Sequence, residues 1–358
     1  MRILHVYKDF APLRGGGGVA RHIHGLAVLA AQAGHAVRVA APAAEDPGRP
    51  DYAAVRVAAT GLWPHIGWAD VVHVHGARTP IAALAALLAR CRGKRVVYTP
   101  HCYYDAAPSL GKHLRKRLWD ALVERPLLRR ADCVVLLSAY WRDYLQARRM
   151  PATRALLLPN AVLAAELPAA PVEAATLAGA PALLSVGRLD AVKRLHDAIA
   201  LLAQPGMDAA VLHLVGRGPD RDRLQACAHA QGVAARVRFH GFVADAAVAA
   251  MAARADAFVL PSAVEGMPTV LIEMLLLGCP VLASDIPGNR AILQPLGLQD
   301  ALYPLGDIAA LVARVAALRR QRVAPQFMAS VRAGFTWEGI RPQVLALYDA
   351  LIPEEPAP

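Results

Sequence analysis

The sequence lacks any run of about 18 uncharged apolar residues, although 56% of its 358 residues are hydrophobic. No membrane-spanning helix is therefore predicted. The longest apolar candidate, Ile81 to Ala89, falls well short and is flanked by Arg78 and Arg90. The N-terminus, MRILHVYKDF, has no apolar stretch long enough for a signal peptide, so a cytoplasmic protein is expected. Cysteine is scarce: Cys91, Cys102, Cys133, Cys227 and Cys279 are odd in number and form no CxxC pair. That speaks against a disulfide framework and a cysteine metal site, and for reduced core thiols. No GxGxxG with a following acidic residue is present, which disfavours a dinucleotide site. No basic motif interleaved with aromatics is visible, so no nucleic-acid partner is expected.

What the chain does have is positive charge, unevenly placed. The net charge is +11, and residues 1–170 carry 23 Lys+Arg against 11 Asp+Glu, or +12. Residues 171–358 carry 16 against 17, or −1. A basic half calls for an anionic partner. The densest stretch is Lys112 to Arg130, KHLRKRLWDALVERPLLRR, a predicted helix whose apolar side holds Leu114, Leu118, Trp119 and Leu122. Two readings stand. The helix packs that side on its own domain, or it seats on anionic lipid through Lys112, Arg115, Lys116, Arg117 and Trp119. In the second case each basic residue contributes about 1 kcal/mol near the surface.

The length exceeds one ordinary domain and suits two. Short continuous apolar runs at 3–7, 36–41, 53–58, 71–75, 96–99, 133–137 and 155–158 read as parallel strands covered on both faces. Helices are predicted between them at 19–33, 80–91 and 112–129. Leu163 to Ala180 is rich in Ala and Pro, unpatterned, and reads as a linker. The strand pattern restarts at 183–186, 211–215, 237–240, 257–260 and 281–284. Two Rossmann-like doubly wound α/β domains are predicted, 1–168 and 169–337, with the carboxyl ends of both sheets facing a cleft.

The most informative stretch is Leu260 to Asp285, LPSAVEGMPTVLIEMLLLGCPVLASD. A strand ends at Leu260, Pro261 and Ser262 break it, and Pro268 suits a first helical position. Thr269 to Leu277 continue as an apolar helix, and Gly278 suits its left-handed cap. Glu265 lies in the loop and Glu273 inside the helix. A carboxylate in such apolar surroundings is costly unless paired or hydrogen-bonded. Either Glu273 meets an Arg, or both glutamates point at a ligand docked on the helix N-terminus, where free N–H groups favour phosphate. Upstream, SVGRLDAVKR places Arg188 and Lys193 just after the strand end at Gly187, two cations suited to a diphosphate. VGRGP supplies Gly216 and Gly218 at another strand end, where glycine permits close backbone approach. Gly15 to Gly18 fill the first strand-to-helix turn. His101 closes the strand VVYTPH. His73 and His75 share one strand face, so metal ligation is conceivable there. No third ligand is apparent, which leaves a structural or acceptor-side role.

The Glu-x7-Glu pair with Gly266 and Pro268 between, the Gly-Arg…Lys string and FHGFV together resemble the signature of family 4 retaining glycosyltransferases. The resemblance covers nearly the full chain and implies the GT-B fold, with the final helix, about 338–358, crossing back onto the first domain. It implies that Arg188 and Lys193 hold a nucleotide donor's diphosphate, that Glu273 binds the ribose hydroxyls and that Glu265 binds the hexose. It further implies that His101 contacts the donor sugar and that Gly16 and Gly17 approach the phosphate. Gly187, Gly216, Gly218 and Gly266, Met267, Pro268, Thr269 and Val270 border the nucleotide, and the main chain at Phe242 and Val243 reads the base. Arg188, Lys193, Glu265 and His101 form the catalytic set on this reading. No cofactor and no metal are implied. Two segments depart from the family pattern: Pro159-Asn160-Ala161-Val162-Leu163, which lacks the usual Gly and Asp, and the variant IPGNRAIL after Ser284.

The expected activity is retaining transfer of a mannosyl, rhamnosyl or glucosyl unit to a lipid-linked or glycan acceptor in bacterial lipopolysaccharide or exopolysaccharide assembly, on the inner face of the plasma membrane. A retaining glycoside hydrolase needs its two carboxylates to flank the scissile bond at about 5 Å, which a loop and a helix-interior position make unlikely. A non-catalytic sugar-nucleotide or polyanion-binding protein is the remaining alternative.

Overall fold

The computed structural model describes residues 1–12, 17–49, 51–105, 109–168, 177–318 and 325–351. The chain divides into two compact units, one formed by Met1–Val162 with Trp337–Pro358, the other by Leu163–Thr336.

The first unit is built on seven parallel strands: β1 (Arg2–Val6), β2 (Ala36–Ala41), β3 (Ala53–Arg56), β4 (Val71–His75), β5 (Arg95–Thr99), β6 (Cys133–Leu136) and β7 (Ala155–Leu157). Their order across the sheet is β3-β2-β1-β4-β5-β6-β7. That is the doubly wound arrangement, in which the direction of winding reverses between β1 and β4. A small pair, Asp9–Phe10 with Ala43–Ala44, lies outside this sheet. Val, Leu and Ala dominate these strands because helices cover both faces. The helix Gly18–Gln32 buries an unbroken row from His22 to Ala30. The helix Arg341–Asp349 belongs to this unit, and Ile340, Val344, Leu347, Tyr348 and Leu351 are all buried in it.

The second unit repeats the plan with β8 (Ala182–Val186), β9 (Val211–Val215), β10 (Val237–Gly241), β11 (Ala257–Leu260), β12 (Val281–Ser284) and β13 (Leu302–Tyr303). The order is β10-β9-β8-β11-β12-β13, again all parallel, with the reversal between β8 and β11. Its core gathers Leu183, Ile199, Leu201, Leu212, Leu214 and Val259. Two Rossmann-like units of this kind are the GT-B architecture.

Several expectations need adjustment. Pro268 is the cap, not the first helical residue: its ψ of 114° is extended and the helix runs Thr269–Leu276. Of the stretch read as linker, 169–176 lies outside the described residues, and Ala164–Glu166 form a 3-10 turn.

The basic helix is not uniform. It runs Leu110–Trp119, widens into a π turn at Asp120–Glu124 and resumes at Arg125–Arg130. Pro126 accounts for the widening, since it has no N–H to donate and its ring crowds the carbonyl four residues back. The turn points Asp120 and Glu124 inward. Arg78, itself left-handed at φ 54°, donates through Nε and Nη2 to both Asp120 oxygens at 2.7 Å, and its backbone N–H reaches Glu124 at 3.2 Å. Glu124 also accepts from the hydroxyls of Tyr98 and Tyr103, and burial raises its pKa.

The leucines do not pack on this unit. Leu110, Leu114, Leu118 and Leu122 are 85, 65, 56 and 66% exposed. Trp119, expected among the surface groups, is instead half-buried, and Lys116 Nζ donates to the Tyr104 carbonyl at 2.7 Å.

Candidate donor site and a buried histidine cluster

In open α/β sheets a ligand crevice forms beyond the carboxyl ends of the strands where the winding reverses. In the second unit that point lies between β8 and β11, so the loops leaving these two strands border the crevice. Gly187 leaves β8 at φ 151°, and a Cβ built there would meet nothing within 4 Å. Arg188 follows with its side chain 70% exposed, its Nε 3.5 Å from Asp190. Asp190 caps the 3-10 turn Ala191–Lys193 through the Val192 N–H, and Lys193 projects from the end of that turn.

Lys193 Nζ donates to Glu265 Oε1 at 2.5 Å, with the two side chains 22 and 10% exposed. The loop leaving β8 thus meets the loop leaving β11, and the Ala263 N–H to Val192 carbonyl bond (2.8 Å) joins them again. Arg194, the next cation, is taken up by Asp197 in two bonds of 2.8 and 2.9 Å and stays structural.

Gly216 and Gly218 are required by a neighbouring loop. A Cβ on Gly216 would lie 1.8 Å from the Gly187 carbonyl oxygen, and one on Gly218 would lie 2.1 Å from that of Leu189. The bonds Leu189 N–H to Arg217 O and Asp220 N–H to Leu189 O, 3.0 and 3.1 Å, hold the two loops together. Beside them Phe242, 47% exposed, follows the end of β10, and Val243 is half-buried.

The helix Thr269–Leu276 starts with no side-chain cap, and its first turn holds no acidic residue. The Leu271 N–H turns back to the Pro268 carbonyl at 3.2 Å, and the N–H groups of Thr269 and Val270 lie ahead of it at the end that favours an anion. Met267, Pro268 and Thr269 are buried, while Gly266 and Val270 are half-buried. Glu273 is 8% exposed, one helical turn inside. Sequence reasoning missed the support beneath Glu265. A Cβ on Gly288 would stand 2.4 Å from the Glu265 carbonyl oxygen. Ser284 Oγ donates to the Ser262 carbonyl (2.5 Å), and Asn289 Nδ2 to that of Ser284 (2.8 Å). The signal was present in Pro287-Gly288-Asn289, a helix start with a glycine where a close approach is needed.

In the first unit, Gly16 lies outside the described residues, and Gly17 caps the helix Gly18–Gln32 with open space where a Cβ would be. His101 follows β5 in a left-handed conformation, φ 65°, uncommon for a residue with a side chain. Parallel register sets His5 beside His73, and His73 and His75 share one strand face, so three imidazoles meet. The third imidazole that the His-x-His spacing did not disclose is His5.

His5 Nδ1 lies 3.0 Å from His75 Nε2, and His75 Nδ1 lies 3.2 Å from His101 Nε2. His73 bonds Tyr348 and Thr99 at 3.0 and 2.7 Å, and His22 bonds Asn160 Oδ1 at 2.7 Å. His22 also meets the Trp337 ring edge to face, with centroids 5.1 Å apart. Burial pushes His5 down to about 3 and His22 to about 4, and it holds His73, His75 and His101 well below the ordinary imidazole value. All five are neutral at pH 7.

Two trios, His5–His73–His75 and His22–His75–His101, bring ring nitrogens within 4.8 Å of one another. Neutral imidazoles are competent ligands, but a cation here would displace the hydrogen bonds that His73 and His75 already make through both nitrogens.

Comparison with known proteins gives two adjoining matches. Residues 17–161 match the glycosyl transferase 4-like domain, and residues 173–328 match glycosyl transferases group 1. The chain is 30% identical over 372 residues to a phosphatidyl-myo-inositol mannosyltransferase from Mycobacterium leprae, covering 94% of this chain and 93% of that one. It is 34% identical over 259 residues to a 2-deoxystreptamine N-acetyl-D-glucosaminyltransferase from Streptomyces fradiae, of which it spans 61%. Among solved structures, sucrose-phosphate synthase from Thermosynechococcus elongatus superposes with a TM-score of 0.78 at 23% identity, over 98% of both chains.

Proposed function

The chain belongs to the group 1 glycosyl transferases, and on that premise we propose that it moves a hexose, with retention, from a nucleoside diphosphate sugar to a glycan or lipid-linked acceptor of the bacterial cell surface. The observation that carries this reading is the Lys193–Glu265 pair at the winding reversal of the second sheet, beside an uncapped helix N-terminus. Lys193 and Arg188 hold the diphosphate, and the N–H groups of the helix Thr269–Leu276 bind its oxygens. Glu273 takes the ribose hydroxyls, and the main chain at Phe242 and Val243 meets the base. Glu265 accepts from hexose hydroxyls, and His101 keeps the donor-sugar role that the family resemblance gives it.

In the free protein Lys193 is neutralised by Glu265. An arriving diphosphate draws the ammonium to itself and frees the carboxylate for the hexose. The acceptor oxygen then attacks C1 on the face the phosphate leaves, the C1–O bond breaks, and the departing phosphate oxygen takes the acceptor's proton. Negative charge develops on that phosphate, where the fixed cations stabilise it. No side chain serves as general base, and no metal enters the reading.

Calorimetric titration with UDP, GDP and ADP in EDTA tests this on wild type and Glu273→Ala. One nucleotide is expected to bind and the variant to lose it. Equal binding by both proteins would remove Glu273 from the site.

A second reading concerns where the protein works. Leu110, Leu114, Leu118 and Leu122 stand exposed on a helix that also exposes Lys112, Arg115 and Arg117. No helix among the described residues is long and apolar enough to cross a membrane. An apolar stripe edged by cations fits peripheral attachment to an anionic bilayer.

A further inference from the structure

We propose that His5 and His75 form a directional hydrogen-bond relay that fixes His101 as its Nδ1–H tautomer, so that His101 offers a donor to the sugar nucleotide. The kinetic consequence rests on the donor-site reading above; the tautomer itself does not.

Three neutral imidazoles carry three ring protons between them, and the chain of contacts fixes where these protons can lie. His5 Nδ1 meets His75 Nε2, and His75 Nδ1 meets His101 Nε2. Each contact needs one donor and one acceptor, so only two arrangements place a proton in both. In the first, His5 donates from Nδ1, His75 accepts at Nε2 and donates from Nδ1, and His101 accepts at Nε2. His101 then carries its own proton on Nδ1, and His5 Nε2 is a bare lone pair. In the second, every proton is reversed. His101 donates from Nε2, its Nδ1 is bare, and His5 is left with its proton on Nε2.

His5 Nε2 decides between them, because it is buried and has no hydrogen-bond partner among the described residues. A buried orphan N–H is the rarer and more costly state, and an under-used acceptor is better tolerated. The first arrangement is therefore selected.

The other neighbours do not reverse this. His73 stacks on His75 with ring centroids 4.1 Å apart, but its nitrogens go to the Tyr348 and Thr99 hydroxyls. Hydroxyls donate or accept as required, so they impose no direction. His22 meets the His101 ring edge-on at 4.8 Å and bonds Asn160, outside the relay. Burial keeps His5, His75 and His101 neutral, so no imidazolium short-circuits the chain. The device matches the ligand, because sugar and phosphate oxygens accept hydrogen bonds and a phosphate oxygen cannot donate one.

The test is a long-range proton–nitrogen correlation spectrum of the full-length protein with ring-15N histidine at pH 7.5, His101 being assigned from its absence in His101→Asn. His101 protonated on Nδ1 is expected, and His101 protonated on Nε2 overturns the proposal. The decisive spectrum is that of the wild-type protein, and His101→Asn serves only to assign it. His75→Asp places an acceptor-only carboxylate where Nδ1 donated, so it should put a proton on His101 Nε2. A His101 that stays bare at Nε2 in His75→Asp also overturns the relay. Nucleotide release from UDP-glucose and GDP-mannose supplies the kinetic arm, with kcat/KM falling roughly 10-fold in His75→Asp. A locked Nδ1–H tautomer whose loss leaves turnover unchanged would uphold the relay and remove His101 from the donor site.

Discussion

At the scale of single residues, the proposed donor site rests on a charge pair that is satisfied before any ligand arrives. Lys193 and Glu265 are both largely buried, so removing one leaves the other without its counter-ion. Lys193→Ala should weaken binding of the preferred nucleotide diphosphate at least about 10-fold, since hydrogen bonds to charged groups contribute roughly 1.5–3 kcal/mol. Titration calorimetry reads this directly, and an unchanged Kd would take Lys193 off the diphosphate.

The histidines make a separate prediction about acid. Free imidazole titrates near 6.5, whereas His5 and His22 in the folded chain titrate near 3 and 4. Between those values the unfolded chain binds protons that the folded chain refuses, so stability is greatest above about pH 6.5 and falls as the pH drops toward 4. Each such histidine contributes up to about 1.4 kcal/mol per pH unit in that window. Urea unfolding at pH 7.5, 6.0 and 5.0 should show a steadily falling midpoint, and a flat profile would contradict the neutral cluster. Arg188, Lys193, Glu265 and Glu273 were all visible in the sequence because each lies in a short string with its own local pattern. His5 was not, since only strand register brings it to His73.

At the scale of elements, the strands announced themselves. Val71–His75, Val211–Val215, Ala257–Leu260 and Val281–Ser284 lie where their apolar runs placed them, because a strand buried on both faces reads as a near-continuous apolar run. Helix irregularity was less legible. Pro126 gives a local warning, but the π turn it accompanies depends on Arg78, more than forty residues away, to receive Asp120. Gly25 is the extreme case. It looks like an ordinary glycine within a helix, yet a Cβ there would stand 1.8 Å from Trp337 Nε1. Gly25→Ala should force the fully buried indole aside, at about 1–3 kcal/mol for such overpacking. Thermal unfolding should show a loss of several degrees. An unaltered midpoint would mean that the indole finds another seat without strain.

At the scale of the whole molecule, charge and exposed apolar surface coincide. Residues 1–170 carry +12, and the helix Leu110–Trp119 lies within them with its leucines uncovered. The protein should co-sediment with vesicles containing phosphatidylglycerol at low salt and be released at high salt. Leu114→Glu with Leu118→Glu should abolish retention while sparing nucleotide binding. Indifference to lipid charge would leave the leucine stripe without a membrane role. The +12 was plain from composition, but the direction the leucines face was not, because amphipathic spacing fits a helix turned inward equally well.

The division of the chain also has a consequence for biosynthesis. The second unit is one continuous segment, Leu163–Thr336, whereas the first needs Trp337 and the helix Arg341–Asp349 to finish its interior. Tyr348 bonds His73 across 275 residues of sequence, and the Trp337 N–H closes onto the Val162 carbonyl. On the ribosome, where synthesis runs at about 5–20 residues per second, the unit that emerges first is therefore the one completed last. Its sheet must wait, with the seat for Trp337 open, until the segment between has been made. Trp337 and the helix Arg341–Asp349 thus set the moment at which the histidine cluster leaves water.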